Sequence, residues 1–125
     1  MREITDHYDG HGLTESLQVE ADGPGPGGAS HLYVVITRPD ASGNGTEVAR
    51  IQFQKGPRNE AGSITGVVES VLLGIVADRM KAFQAGPYGC RENALVLTKI
   101  DEAMHWLKHR ADERAKRGVL GTNQK

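Results

Sequence analysis

The sequence predicts an α+β fold in which an N-terminal antiparallel β-sheet is followed by a C-terminal hairpin of two antiparallel α-helices. Short β-type runs are confined to the first half of the chain, and apolar residues recur at helical spacing only in the second half. A Gly86-Pro87 turn divides the second half into two helical segments. We expect one domain, 1–125, with a sheet region at 12–55, a helical hairpin at 63–117 and a tail at 118–125.

The sheet region consists of three predicted strands. Residues 13–19 alternate loosely, residues 31–37 form an apolar run rich in β-branched side chains, and residues 49–53 alternate apolar and polar side chains. The Gly-Pro-rich segment 23–28 is predicted to be a linker, and it lacks the Lys-Ser/Thr pair of a phosphate-binding loop. Asn44-Gly45 predicts the turn of a hairpin between the last two strands.

The helical hairpin is predicted from two apolar stripes. The first helix spans about 65–85, with Ser63 or Thr65 as its cap and Gly86 in a left-handed turn at its end. The second helix begins near Cys90 and carries a seam like that of a coiled coil. The first stripe comprises Val68, Leu72, Ile75, Val76, Met80 and Phe83, and the seam comprises Leu97, Ile100, Met104, Leu107 and Ala111.

Composition limits the classes of partner. The 125 residues carry 15 Lys and Arg against 16 Asp and Glu, which argues against a general DNA or RNA binder. The single cysteine cannot form an internal disulfide, and the polar N-terminus resembles no signal peptide. No apolar run is long enough to cross a membrane. With few aromatic residues and 16 glycines, we expect a modest core that partner subunits complete.

Three arginines on one face of the second helix form the first candidate site. Arg110, Arg114 and Arg117 follow each other at i, i+4 and i+7. In one interpretation Glu113 pairs with Arg110 and Arg117, and Asp112 pairs with Lys116, in a solvated helix end. This is the commoner outcome for such a charge run. In the other they hold a polyphosphate, since the planar guanidinium donates two hydrogen bonds to phosphate oxygens.

The turn between the helices forms the second candidate site. Phe83 closes the first helix and Asn93 opens the second, so a hairpin brings an aromatic face close to an amide, as recognition of a nucleobase requires. By spacing alone, the favoured interpretation of Phe83 is a core residue, because it continues the apolar stripe of the first helix. Arg79 is expected to lie outside this site.

Signals for metal binding or catalysis are weak. His105 and His109 stand at i, i+4, but the glutamate that normally follows the first histidine of a zinc helix is Trp106 here. We therefore expect an exposed face without a metal. We interpret Cys90 as a small packing residue, and no catalytic set or cofactor is predicted.

Three segments give the sequence a resemblance to a known family. They are IQFQKGPRNEAG from Ile51, LLGIVADRMKAFQAGPYGCRENALVLTKIDEAMHWL from Leu72 and RADERAKRGVLGT from Arg110. Together they resemble the phage-encoded Thoeris anti-defence protein one family. The second segment also resembles the helical hairpin of the anti-CBASS protein two family, whose members lack the preceding β-rich half.

The resemblance implies a ligand-sequestering protein without catalytic activity. Family members bind glycocyclic ADP-ribose, the signal made by bacterial Thoeris TIR enzymes, without cleaving it. They are also implicated in holding cyclic trinucleotides of CBASS defence at a separate site. The family forms dimers or hexamers with pockets shared between subunits, so we expect a homo-oligomer in the cytoplasm of an infected bacterium.

The resemblance also implies residue roles. Phe83 resembles the adenine-stacking residue and Asn93 its polar neighbour, while Arg110 and Arg114 resemble the phosphate-binding pair, with Arg58 as an addition from the loop after the sheet. The tail site for a cyclic trinucleotide corresponds to Arg117, Gly118, Gly121 and Thr122. Asn123 stands where many relatives are expected to carry histidine.

Two other functions compete with sequestration. An enzyme that degrades the same signal would need an acid and a base, for which Glu92, Glu113 and His109 are the nearby candidates. A protein-interaction module would use the hairpin only as an assembly seam.

Overall fold

The computed structural model describes residues 1–122 and residue 124. It contains two compact units, Met1–Gly66 and Val67–Lys125. The first unit is a β-sheet and the second a pair of helices, which confirms the predicted α+β class. The assignment of all 125 residues to one domain stays a prediction.

The sheet has four antiparallel strands in the order of the sequence: β1 Arg2–Ile4, β2 Leu17–Ala21, β3 Leu32–Thr37 and β4 Glu47–Gln52. In the central pairing Val19 lies opposite Val35, and Val35 lies opposite Ala49. Ala21 and Val34 are buried. The β-branched run of β3 therefore lies between two partner strands, where its side chains pack on both neighbours.

Strand β1 is absent from the sequence-based prediction, because its three residues carry no apolar alternation. It is held instead by long-range polar contacts. Arg2 Nη2 donates to Ser30 Oγ at 3.1 Å, and Arg38 Nη1 bonds Glu3 Oε1 at 3.2 Å while its Nη2 donates to the Tyr8 hydroxyl. Leu13, expected in a strand, is exposed ahead of β2.

The loop between β3 and β4 forms the predicted hairpin with a different turn. Asp40 organises it, because its Oδ1 accepts from the backbone amides of Ser42 and Asn44 at 2.9 and 3.0 Å. Gly43, with φ of 83°, takes the left-handed conformation rather than Gly45. The hairpin predicted from Asn44-Gly45 is therefore confirmed, and its tight turn lies at Asp40 to Gly43.

Helix α1, Glu69–Ala85, begins later than predicted. Val68 is its N-cap, and neither Ser63 nor Thr65 caps it. The Ser63 hydroxyl donates to the Pro57 carbonyl at 2.6 Å, and the Gly66 amide donates to Gln54 Oε1 at 3.3 Å. These bonds hold the segment before α1 in the sheet unit, so the predicted caps are wrong.

Helix α2, Arg91–Lys116, starts close to the predicted position. The turn between the helices differs from the prediction, because Gly86 has φ of −108° and is not left-handed. Gly89 is the glycine that the turn requires sterically, since a β-carbon there would lie 2.7 Å from the Gln84 carbonyl oxygen.

Helices α1 and α2 pack against each other, with Ala77 and Ile100 buried. The rest of the predicted seam on α2 is half-buried, as expected for a hairpin. The stripe on α1 is wider than α2 can cover, so Ile75 is 60% exposed, and α2 leaves Trp106 65% exposed. None of the helices in the described part of the chain is long and apolar enough to cross a membrane.

Candidate functional site

The hairpin turn collects a small aromatic cluster around Phe83. The Phe83 ring is half-buried, and the ring of Tyr88 meets it edge-on at a centroid distance of 6.1 Å. The guanidinium carbon of Arg79, one helical turn before Phe83, lies 4.9 Å from the Phe83 ring centroid. Arg79 therefore belongs to this cluster, and its expected position outside the site is wrong.

Asn93 lies in the first turn of α2, at the same end of the hairpin as Phe83. Its Nδ2 donates to the Tyr88 carbonyl at 3.0 Å, and Gln84 Oε1 accepts from the Cys90 amide at 3.0 Å. These bonds fix the backbone of the turn between α1 and α2. The Asn93 amide thus supports the aromatic cluster, while its Oδ1 faces no donor among the described residues.

The two predicted phosphate-binding arginines lie in different environments near the C-terminal end of α2. Arg110 is exposed and forms no ion pair among the described residues. Arg114 is only 8% exposed. Its Nη1 donates to the Gln124 carbonyl at 2.6 Å, and its Nη2 donates to the carbonyls of Val119 and Thr122 at 3.1 and 3.0 Å.

The tail that Arg114 holds has a regular helix-ending structure. Gly118, with φ of 72°, follows the C-cap Arg117; its amide donates to the Ala115 carbonyl at 3.1 Å, and the Val119 amide donates to the Arg114 carbonyl at 3.0 Å. This is a Schellman motif, in which a left-handed glycine satisfies the last carbonyls of a helix. Val119 is buried beside it.

The remaining residues of the predicted tail site continue this structure. Gly121 is also left-handed, with φ of 80°, and the Thr122 hydroxyl donates to the Val119 carbonyl at 2.6 Å. Arg117 is exposed at the helix end. Asn123 lies outside the described residues. The segment 117–122 is thus a folded cap on α2, and its backbone geometry depends on two glycines.

Arg58 belongs to the sheet unit. It is exposed in the turn that follows Pro57, whose carbonyl accepts from the Glu60 amide at 3.1 Å.

The hairpin turn and the arginine end lie far apart within one chain. Asn93 and Arg110 are separated by 17 positions of a continuous helix. At a rise of about 1.5 Å per residue, this is roughly 25 Å. A ligand containing one adenine and a pyrophosphate is shorter than this, so one protomer cannot present both groups to it.

The three acid–base candidates are spread along α2. Glu92 lies at the start of the helix and His109 seventeen positions later, so these two form no acid–base pair within one chain, whereas Glu113 follows His109 by one helical turn. His105 and His109 contact the Trp106 ring edge-on at 5.2 and 5.6 Å. The described residues contain no group of three or more potential metal ligands.

Comparison with known proteins places this hairpin in a family. A family model described as "Acb2/Tad1, hairpin domain" matches residues 45–111, more than half of the chain. The chain belongs to the Acb2/Tad1 hairpin family. A protein named "Thoeris anti-defense 1", from Bacillus phage SBSphiJ7, is 43% identical over 79 residues, which cover 63% of this chain and 55% of that relative. The chain therefore spans little more than half the length of this relative.

The match to the Acb2/Tad1 hairpin confirms the resemblance predicted from the sequence. It covers Arg58, Phe83, Asn93 and Arg110, and it ends before Arg114 and the tail. The hairpin of this family member also contains two residues that sequence reasoning missed. Tyr88, an aromatic residue directly after the Gly-Pro turn, and Arg79, at i−4 from Phe83, could both have been found from their spacing to Phe83.

Proposed function

We propose that this protein binds glycocyclic ADP-ribose and sequesters it without cleavage, and so counteracts Thoeris immunity in the cytoplasm of an infected bacterium. The observation that carries the proposal is the Phe83–Asn93 turn on a hairpin of the Acb2/Tad1 family. An aromatic ring gives the adenine a stacking surface, and stacking contributes about 1–3 kcal/mol per base. The name of the phage relative supports the biological role.

The phosphates of the ligand would be held by the arginine end of a second copy. Because Phe83 and Arg110 lie at opposite ends of one hairpin, a complete site needs two antiparallel hairpins. Such a pair would place Arg110 and Arg114 of one copy beside the aromatic cluster of the other. A dimer would contain two such sites, and a hexamer would repeat the arrangement.

The exposed apolar residues of the hairpin support self-assembly. Val71 and Ile75 follow each other on α1, while Leu95 and Trp106 lie three turns apart on one face of α2, and all four are exposed. Burying such side chains contributes about 25 cal/mol per Å² of apolar surface. The single chain leaves these four side chains exposed, and a second copy of the hairpin would cover them.

Arg114 adds a condition to phosphate binding. Its guanidinium already donates to three tail carbonyls. We infer that Arg110 makes the primary phosphate contact, because its guanidinium is exposed and unpaired among the described residues. Arg114 would contact the ligand only with donors that the tail leaves available, or by releasing part of the tail.

The second proposed activity is binding of cyclic trinucleotides by the tail residues Arg117, Gly118, Gly121 and Thr122. The two left-handed glycines expose backbone without side chains, which lets a phosphate approach closely. This proposal is tested by a chain that ends at Arg117. Loss of trinucleotide binding with retained ADP-ribose binding is expected, and retention of both ligands would contradict the tail site.

Calorimetric titration of the purified protein with glycocyclic ADP-ribose tests the main proposal. We expect nanomolar binding, which corresponds to about −12 kcal/mol, because sequestration must compete with a host sensor. After denaturation of the complex, chromatography should recover the intact ligand. Recovery of a cleaved product would show the competing enzyme activity, and the absence of binding and of ligand-induced thermal stabilisation would leave the interaction module as the better interpretation.

A further inference from the structure

Arg79 covers one face of the Phe83 ring, the aromatic group on which the proposed ligand would stack. Its guanidinium carbon lies 4.9 Å from the Phe83 ring centroid, within the range of a cation–π contact. Tyr88 occupies an edge of the same ring rather than a face, because the two ring planes are inclined by 75°. Arg79 and Tyr88 therefore border Phe83 in different ways, and only the arginine lies over its π-surface.

The space between Arg79 and Phe83 is too small for a base. A flat ring between two other groups requires roughly 7 Å between them, since optimal contact distances between carbon atoms are about 3.5–4.0 Å. The observed 4.9 Å between the guanidinium carbon and the ring centroid means that the two groups are in direct contact, with no room for a base between them. Stacking of a purine on this face of Phe83 thus requires the guanidinium to move away from the ring.

Arg79 is free to make this movement. Its side chain is exposed, and among the residues that the structure describes no ion pair or hydrogen bond holds it. The contact with Phe83 is the one interaction described for its guanidinium. Phe83 is half-buried at the end of α1, in a turn that Asn93 and Gln84 fix, so the ring is the more constrained partner.

We propose that Arg79 is a second stacking residue of the ligand site, which moves away from Phe83 and closes on the opposite face of the bound base. This inference rests on the proposed binding of an adenine-containing ligand at Phe83. A guanidinium is planar and stacks well on aromatic faces, whereas a lysine ammonium is a compact point charge. On binding, the Arg79 guanidinium would leave the face of the Phe83 ring and stack on the face of the base. The base would then lie between Arg79 and Phe83.

The test compares calorimetric affinities for glycocyclic ADP-ribose. Arg79→Ala should weaken binding about ten-fold, in the range of one lost stacking partner. Arg79→Lys keeps the charge and should recover less than half of this loss, because it lacks the planar group. Lys81→Ala is the matched control, since it removes an exposed positive charge two residues later on α1 and should leave the affinity unchanged.

Several outcomes would overturn this inference. Equal or tighter binding by Arg79→Ala would show that the guanidinium only competes for the ring, and wild-type affinity of Arg79→Lys would show that charge alone matters. An equal loss for Lys81→Ala would indicate a general charge effect. If Phe83→Leu weakens binding while Arg79→Ala does not, the proposed function stands without this inference; if the wild-type protein does not bind the ligand, both are wrong. Unchanged melting temperatures of the variants exclude misfolding as the cause.

Discussion

Arginine residues four positions apart on α2 have different roles, although the sequence makes them look equivalent. Arg110 presents its guanidinium to solvent, whereas Arg114 is buried and organises the tail through carbonyl groups. A buried guanidinium needs such partners, because an unpaired buried charge is strongly destabilising. The same residue type at the same helical face therefore serves as a candidate ligand in one case and as a structural anchor in the other.

Substitution of these arginines separates the two roles. Arg110→Ala should lower the affinity for glycocyclic ADP-ribose by about 1.5–3 kcal/mol for each lost charge-assisted bond and leave the tail intact. Arg114→Ala should in addition accelerate amide hydrogen exchange of Val119 and Thr122, measured by NMR. Lys108→Ala, whose ammonium pairs with Asp112 at 2.8 Å and holds the pKa of that carboxyl below its usual value, is the control. Wild-type affinity of Arg110→Ala would remove it from the proposed site.

Phe83 also has two roles, since it packs in the hairpin and offers a ring face. Phe83→Leu keeps most of the apolar volume and removes the aromatic surface. We expect this variant to lose about 1–3 kcal/mol of ligand binding, the contribution of one base–aromatic stack, while its melting temperature changes little. Calorimetry and thermal melting measure the two quantities on the same sample. An unchanged affinity would show that Phe83 is only a packing residue.

At the scale of elements, the end of α2 is determined by the left-handed Gly118 and not by the charged side chains of its last turn. Gly118 lies at φ of 72°, which an alanine adopts only with strain, whereas Gly74 lies within α1 with open space around its α-carbon. Replacing a left-handed glycine destabilises, and replacing a helical one stabilises by about 0.5–1 kcal/mol. The two positions therefore respond in opposite directions to the same substitution.

Gly118→Ala and Gly74→Ala form a matched pair of variants. We expect the first to lower and the second to raise the melting temperature of the helical unit, followed by circular dichroism at 222 nm. Stabilisation by Gly118→Ala would contradict the Schellman ending of α2. Gly121→Val is a poorer probe of a tail ligand site than the chain that ends at Arg117. The φ of Gly121 is 80°, so a β-branched residue there would distort the backbone of the tail and not only block a ligand.

At the scale of the whole molecule, the single chain buries few large side chains. Among the described residues the buried apolar ones are Ala21, Val34, Ala77, Ile100 and Val119. We expect at least a dimer in light scattering at micromolar concentration. Trp106→Ala should shift the mass towards the monomer if its face of α2 forms a subunit contact, with Lys99→Ala as an exposed control on the same helix. A monomeric wild-type protein would exclude pockets shared between subunits.

The lowered pKa values of carboxylates in the sheet unit predict that this unit loses stability at acid pH. Hydrogen bonds lower the pKa values of four of them: Glu3 is bonded by the Tyr8 hydroxyl, Glu15 by the Gly10 amide, Asp22 by the His31 amide and Asp40 by the Ser42 side chain. Because each pKa is lower in the folded state, the stabilisation is present above the unfolded values of about 4 and is lost as the pH falls through the folded values. Thermal melts should show a falling midpoint below about pH 4, and Glu15→Gln should reduce this dependence. A midpoint that is independent of pH in this range would contradict these bonds.

The amino-acid sequence by itself determined the fold class and the position of the turn between the two helices. The β-branched apolar run at 31–37, the alternation at 49–53 and the seam from Leu97 to Ala111 indicate the elements that form, because the pattern of apolar residues determines which faces can be buried. The family resemblance and the placement of Phe83 and Asn93 at the same end of the hairpin followed from local sequence, since a short turn between two helices must bring their adjoining ends together.

The tertiary structure alone decided the features that depend on long-range contacts. Strand β1 forms because Arg2 and Glu3 find partners 28 and 35 positions away, which no local pattern records. The start of α1 depends on Gln54 and Pro57 of the sheet unit, and the burial of Arg114 depends on how the tail folds back. Periodicity identifies faces of an element, but hydrogen-bond partners are set by the path of the whole chain, so the separate roles of Arg110 and Arg114 became visible only in the folded molecule.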